Sequence, residues 1–230
     1  MTHQHTLIKG FTLVEMAVVL VIVGLMLGGL LAPLSAQIEQ KNREETRIIL
    51  DEAKEALIGF AMAKKYLPCP DANAIPAGTE GARNAGNQCV NPEGTLPWQT
   101  LGVRGIDAWG RYIHYRVTPV FTDNNSFFSL ASTGGITVKS DTGTLTTAAV
   151  AVLLSYGPNG YGGINTIQAT PSNQMPSPTG ADEIENTNQN TTFIIHAPVP
   201  QGSANEFDDS LVWLPANILF NRMVAAGRLP

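Results

Sequence analysis

Basic residues are scarce in this chain. There are 14 Lys and Arg against 19 Asp and Glu, a formal net charge of −5 over 230 residues. No basic cluster exceeds a short pair such as Lys64-Lys65, so the electrostatic footprint of a nucleic-acid binder is missing and no nucleic-acid partner is expected. Cysteine is nearly absent too. The two residues, Cys69 and Cys89, form no Cys-x-x-Cys pair and have no histidine beside them, which removes the usual zinc frameworks. Of the four histidines, His3 and His5 sit at the extreme N-terminus, while His114 and His196 fall in strand-like stretches. A hydrogen-bonded, partly buried role suits those two better than catalysis. Ser155, in "LLSYG", lacks the Gly-x-Ser-x-Gly elbow of a nucleophile. "GPNGYGG" lacks the Lys-Ser/Thr of a phosphate loop, and its glycines suit a tight turn. No catalytic constellation emerges, so the chain is not expected to be an enzyme.

Charge is missing altogether from Met16 to Ile38, a stretch of 23 residues. As a helix it extends about 34 Å at about 1.5 Å per residue, enough for a bilayer core of about 30 Å. The N-terminal tail "MTHQHTLIKG" carries Lys9 and no acid, which orients the N-terminus toward the cytoplasm and the larger part of the chain outward. One carboxylate, Glu15, stands at the start of the run, in "KGFTLVEMAVVLVIVGLML". An unpaired acid in hydrocarbon costs roughly 2.5–3.5 kcal/mol at a helix centre. Glu15 either reaches the interface or pairs with a cation. A cut after Gly10 would create such a cation, the new α-amine of Phe11, one helical turn before Glu15.

Beyond the run, Ile49, Ala53, Ala56, Leu57, Phe60 and Ala61 recur at three- and four-residue steps, one face of a helix. One helix is predicted from about 11 to 66, interrupted by Gly28-Gly29 and Pro33, where a bend is expected. Pro68 and Pro70 end it. Residues 71–97 read as a loop. Strands are predicted near 111–118, 127–131, 135–139, 149–156, 192–197 and 210–214. The stretch 157–191 reads as a long polar loop, either mobile or functional. Pro215 and Gly227 bracket a short terminal helix. The sum is an α+β fold, a long N-terminal helix packed on a small antiparallel sheet. An export segment makes a Cys69–Cys89 disulfide plausible, with two free thiols as the alternative.

At "KGFTLVE" the chain resembles the processing site of type IV pilins and of the pseudopilins of type II secretion. The resemblance covers roughly the first 56 residues. It implies a leader of residues 1–10, a membrane and filament-core helix segment at 11–36, and a periplasmic pilin-like domain at 37–230 that includes the outer half of the long helix. It implies cleavage by a prepilin peptidase between Gly10 and Phe11, N-methylation of Phe11, and an assembly role for Glu15. Implied partners are other pilin or pseudopilin subunits and an inner-membrane assembly platform, with a secreted cargo or surface ligand if the chain is a tip or minor subunit. The implied location is the bacterial inner membrane, single-pass, then a periplasmic or surface filament. "DAWGRYIHY" (107–115), "SYGPNGYGG" and "DDSLVW" look like segments of major pseudopilins, which hold calcium in their C-terminal region. Asp208 and Asp209 are the implied ligands here, near Glu206 and the acids Asp182, Glu183 and Glu185. A solvated acidic loop is the alternative, and no other cofactor is expected. The Trp-Gly segment points to the pseudopilin side. The chain's size and cysteine pair point to a minor pilin, and the longer loop and extra terminal helix to a divergent member. An exported enzyme with a signal peptide cut after Ala36 is the remaining alternative; Leu34 fits that site poorly.

Overall fold

The structure is a computed structural model that describes residues 10–167 and 173–229, with backbone only over 27–34. The chain falls into two compact units, Met1–Lys41 and Asn42–Pro230. Helix α1 runs Leu13–Lys64. In the first unit the side chains of 11–26 are all exposed, among them Leu13, Leu20 and Leu25 at 88, 71 and 73%. A continuous apolar surface of this kind marks a site of contact with membrane or protein. Among the described residues no helix is long and apolar enough to cross a membrane. The side chains of 27–34 lie outside the described residues, and α1 is assigned without a break through Gly28-Gly29 and Pro33, where a bend was expected.

In the second unit the outer part of α1 buries Ile49, Leu50, Ala53, Leu57, Ile58 and Ala61. The stripe is rotated slightly from the one read in the sequence. Ala56 and Phe60 are only half-buried, and Leu50 and Ile58 take their places. The helix stops where Lys65 turns left-handed at φ 70°, ahead of Pro68 and Pro70.

Strands β1 (Glu93–Thr95), β2 (His114–Val117), β3 (Ile136–Ser140), β4 (Gly143–Ser155), β5 (Thr192–Ile194) and β6 (Ser210–Pro215) form one six-stranded sheet. Its order is β1-β2-β4-β3-β5, with β6 also paired to β4. The 13-residue β4 is the hub. Its first half pairs with β3, and its second half pairs with β2 along one side and β6 along the other. The period of two then separates two apolar layers. Tyr115, Val117, Ala151 and Leu153 pack with the α1 stripe and with Leu219 and Met223. Val152, Leu154 and Tyr156 pack on the opposite face with Ile136, Val138 and Phe193.

The sheet is mixed, not antiparallel as expected. β5 lies parallel to β3, because the chain returns to that edge through a long crossover instead of a hairpin. That crossover contains helix α3 (Ala181–Thr187), so 157–191 is not wholly loop. The predicted strand at 127–131 is absent. Phe127 sits at φ 52°, a left-handed conformation no strand accepts, and Phe128 instead packs against Phe121 at 5.1 Å. β1 was hidden inside the expected 71–97 loop, which also precedes the short helix α2 (Trp98–Leu101). The terminal helix α4 spans Ala216–Ala225, with Pro215 as its N-cap and Gly227 at φ 65° just past its end. A disulfide joins Cys69 to Cys89, with Cα atoms 5.3 Å apart.

Candidate functional site

The N-terminal segment builds its local geometry from Thr12. Thr12 Oγ1 accepts the backbone N–H of Glu15 at 3.2 Å. Glu15 Oε2 in turn accepts from the Thr12 N–H at 2.8 Å and from Thr12 Oγ1 at 2.9 Å. This is a reciprocal capping box that satisfies orphan donors at the start of α1. The Thr-x-x-Glu signature stands in "TLVE", overshadowed there by the charge of Glu15 in an apolar setting. Gly10 and Phe11 precede the helix in non-helical, exposed backbone. A side chain added at Gly10 would meet nothing.

The second constellation lies in Asn42–Pro230, where two sequence segments grip each other. Asp107 Oδ1 accepts the N–H groups of Trp109 and Arg111, each at 2.9 Å, and Asp107 Oδ2 accepts the buried Ser155 hydroxyl at 2.7 Å. Asp107 therefore fixes a turn. It aims Arg111, whose guanidinium donates to the carbonyls of Gly157 and Pro158 at 2.8 and 2.7 Å. Gly157 has φ 56°, and a β-carbon there would run into Asp208, so only glycine serves.

That turn closes over three buried carboxylates, Glu183, Asp208 and Asp209, whose oxygens lie within 4.8 Å of one another. Glu183 comes from α3 and accepts the Asp208 N–H at 2.9 Å. Asp208 Oδ2 accepts the Asn159 N–H at 3.1 Å, while its Oδ1 is buried with no hydrogen-bond partner among the described residues. Asp209 Oδ2 accepts from Asn186 at 2.8 Å. Burial pushes Asp208 up to about 7, with the Glu183 charge adding to the shift. Burial likewise holds Asp209 well above the usual carboxylate range and raises Glu183. Three buried acids this close need protons or a cation. The oxygen-only donor set and the orphaned Asp208 oxygen fit a hard divalent ion.

Of the acids singled out in the sequence, Asp208 and Asp209 come together, and Glu183 joins them from 25 residues upstream of Asp208. The others do not. Asp182 meets His196 at 3.1 Å, Glu185 holds Asn188 at 2.6 Å, and Glu206 accepts from the Gly202 N–H at 2.8 Å. His196 is hydrogen-bonded as expected. His114 departs from expectation, since its buried Nε2 has no hydrogen-bond partner among the described residues.

The N-terminal geometry defines a class first, a chain with an exposed peptide ahead of a capped apolar helix. Residues 7–31 match the family described as the prokaryotic N-terminal methylation motif, the signature of type IV pilins and pseudopilins. The motif implies processing by a prepilin peptidase and assembly with other pilin subunits, and it points to export to the cell envelope. No curated protein and no solved structure matches the chain.

Proposed function

We propose that this protein is a structural subunit, not an enzyme, of a type IV pilus-like or type II secretion pseudopilus filament. The observation that carries the reading is the methylation motif at 7–31, with the exposed Gly10-Phe11 segment and the uncovered apolar side chains of 11–26 behind it. The segment 16–38 anchors the precursor in the inner membrane, with the N-terminus cytoplasmic. Cleavage after Gly10 frees the Phe11 amine, which becomes methylated. Glu15 then offers its carboxylate to that amine, in its own chain or a neighbour's. A matched pair in an apolar filament core is tolerable, whereas a lone acid is not, so the pairing sets subunit register. The assembly platform of the inner membrane completes the partner set. Calcium at Glu183, Asp208 and Asp209 neutralises the buried cluster and ties α3 to the start of β6.

The test is Gly10→Val in the native host. A β-branched residue at the cut should leave full-length precursor in the membrane and abolish filament incorporation. Mature filaments from that variant would overturn the reading.

A further inference from the structure

A polar cleft opens on the sheet face opposite the α1 stripe, within Asn42–Pro230. Its cavity is about 700 Å³, inside the range of about 300–1,000 Å³ for small-ligand sites. The β1–β2 register builds the floor. Glu93 stands opposite Arg116, and Thr95 opposite His114, so all four side chains share one face. Arg116 donates to Glu93 and to the Gln189 carbonyl at 3.1 Å. The floor's charges are thus already matched. His114 Nε2 lies 3.1 Å from Glu93 Oε1 but off line, so it makes no hydrogen bond. Burial pushes His114 down to about 4, and the ring is neutral at physiological pH.

The walls come from two further segments. The segment just past the disulfide contributes Asn91, and the 157–191 crossover contributes Gln174. Gln174 is held in place by donating to the carbonyls of Gly162 and Gly163 at 2.7 and 3.2 Å. Tyr112 also lines the cleft, its ring backed by Trp98 at 4.9 Å.

We propose that this cleft binds a neutral, hydroxyl-rich ligand, a short oligosaccharide. The Asn91 amide, Oε1 of Gln174 and the Glu93 carboxylate line the cleft with donors and acceptors, which suit vicinal hydroxyls. The rigid Tyr112 ring offers an apolar platform for the C–H face of a sugar. A phosphate or acidic ligand would find no uncompensated cation, since Arg116 is engaged by Glu93. An acyl chain would strand the polar walls without partners. This site goes beyond the filament reading and stands or falls without it.

The test uses the full chain in a detergent without a sugar headgroup, titrated with maltotriose, cellotriose and tri-N-acetylchitotriose and read by calorimetry and ligand-observed NMR. At least one trisaccharide should bind with Kd below about 1 mM. Gln174→Ala and Glu93→Gln should each weaken it about fivefold, the loss expected for one hydrogen bond. Gln174 sits on the outer wall, so its variant should keep the parent melting temperature even if Glu93→Gln disturbs the floor. No binding by any of the three, or binding insensitive to Gln174→Ala, overturns the proposal. So does an alternating Thr-Val decapeptide that binds where the sugars do not, which would assign the cleft to a peptide strand added at β1.

Discussion

Glu15 and the Glu183–Asp208–Asp209 cluster put carboxylates to different uses, and substitutions separate them. In Glu15 the capping box and the charge are distinct contributions. Glutamine at the third helical position preserves a capping box but removes the charge. Glu15→Gln should therefore be cleaved normally and fail to enter filaments, as judged by immunoblot of sheared fractions. Normal assembly of that variant would reduce Glu15 to a cap. Thr12→Ala should cost only about 1 kcal/mol of helix stability. For Asp208 the sign follows from its raised pKa. A carboxylate whose folded pKa exceeds its unfolded value contributes stability below about pH 4, lost as pH rises through about 7. In chelator at pH 7.5, Asp208→Asn should melt above the parent, and the gap should close toward pH 4. Added calcium should reverse the order at pH 7.5. At a hundredfold excess over Kd it should raise the parent's Tm by about 5–10 °C and leave the variant nearly unmoved. A scan of Tm against pH with and without calcium checks both signs.

Among the elements, the helix ends and the loops carry the most instructive differences. α1 and α4 were legible because their signals are local. Apolar residues recur at three and four, Pro68 and Pro70 stop the first helix, and Pro215 and Gly227 bracket the last. The stretch 127–131 looked like a strand for the same local reason, since Phe127, Phe128 and Leu130 are apolar. Its backbone was decided instead by packing of Phe128 on Phe121. β1 is three residues long and is made a strand by β2, so its own sequence "EGT" gives no sign. The parallel pairing of β5 with β3 depends on the path of the crossover, which no local pattern encodes. The disulfide closes a loop of about 20 residues, which the chain-entropy model values at about 3 kcal/mol. The double variant Cys69→Ser/Cys89→Ser should lower the Tm by about 6–12 °C in calorimetry while leaving processing at Phe11 intact. An unchanged Tm would mean the loop is held by Asp71, whose carboxylate accepts the N–H groups of Asn73, Ala77 and Gly78.

Across the whole molecule, the processing site and the buried carboxylate cluster were unequally legible in the sequence. The processing site could be read because it is one contiguous string with a charge in an apolar setting. The carboxylate cluster could be read only in part. Asp208 and Asp209 are adjacent, but Glu183 reaches them through α3, and the sequence offers no spacing rule for that approach. The polar cleft was not read at all, because its floor pairs residues 93 and 116 across two strands and its walls come from two separate loops. Both constellations in the second unit depend on the same crossover, which makes 157–191 the segment on which ligand binding turns. Deleting it should leave filaments intact and abolish saccharide binding, with calcium stabilisation lost as well because Glu183 goes with it. The central claim, however, is that the chain is matured at Gly10–Phe11 and built into a filament. Intact mass and N-terminal sequencing of the protein from native membranes test it most directly. The expected chain starts at Phe11 and is heavier by one methyl group. A chain starting at Gln37, or one still carrying Met1, would contradict it.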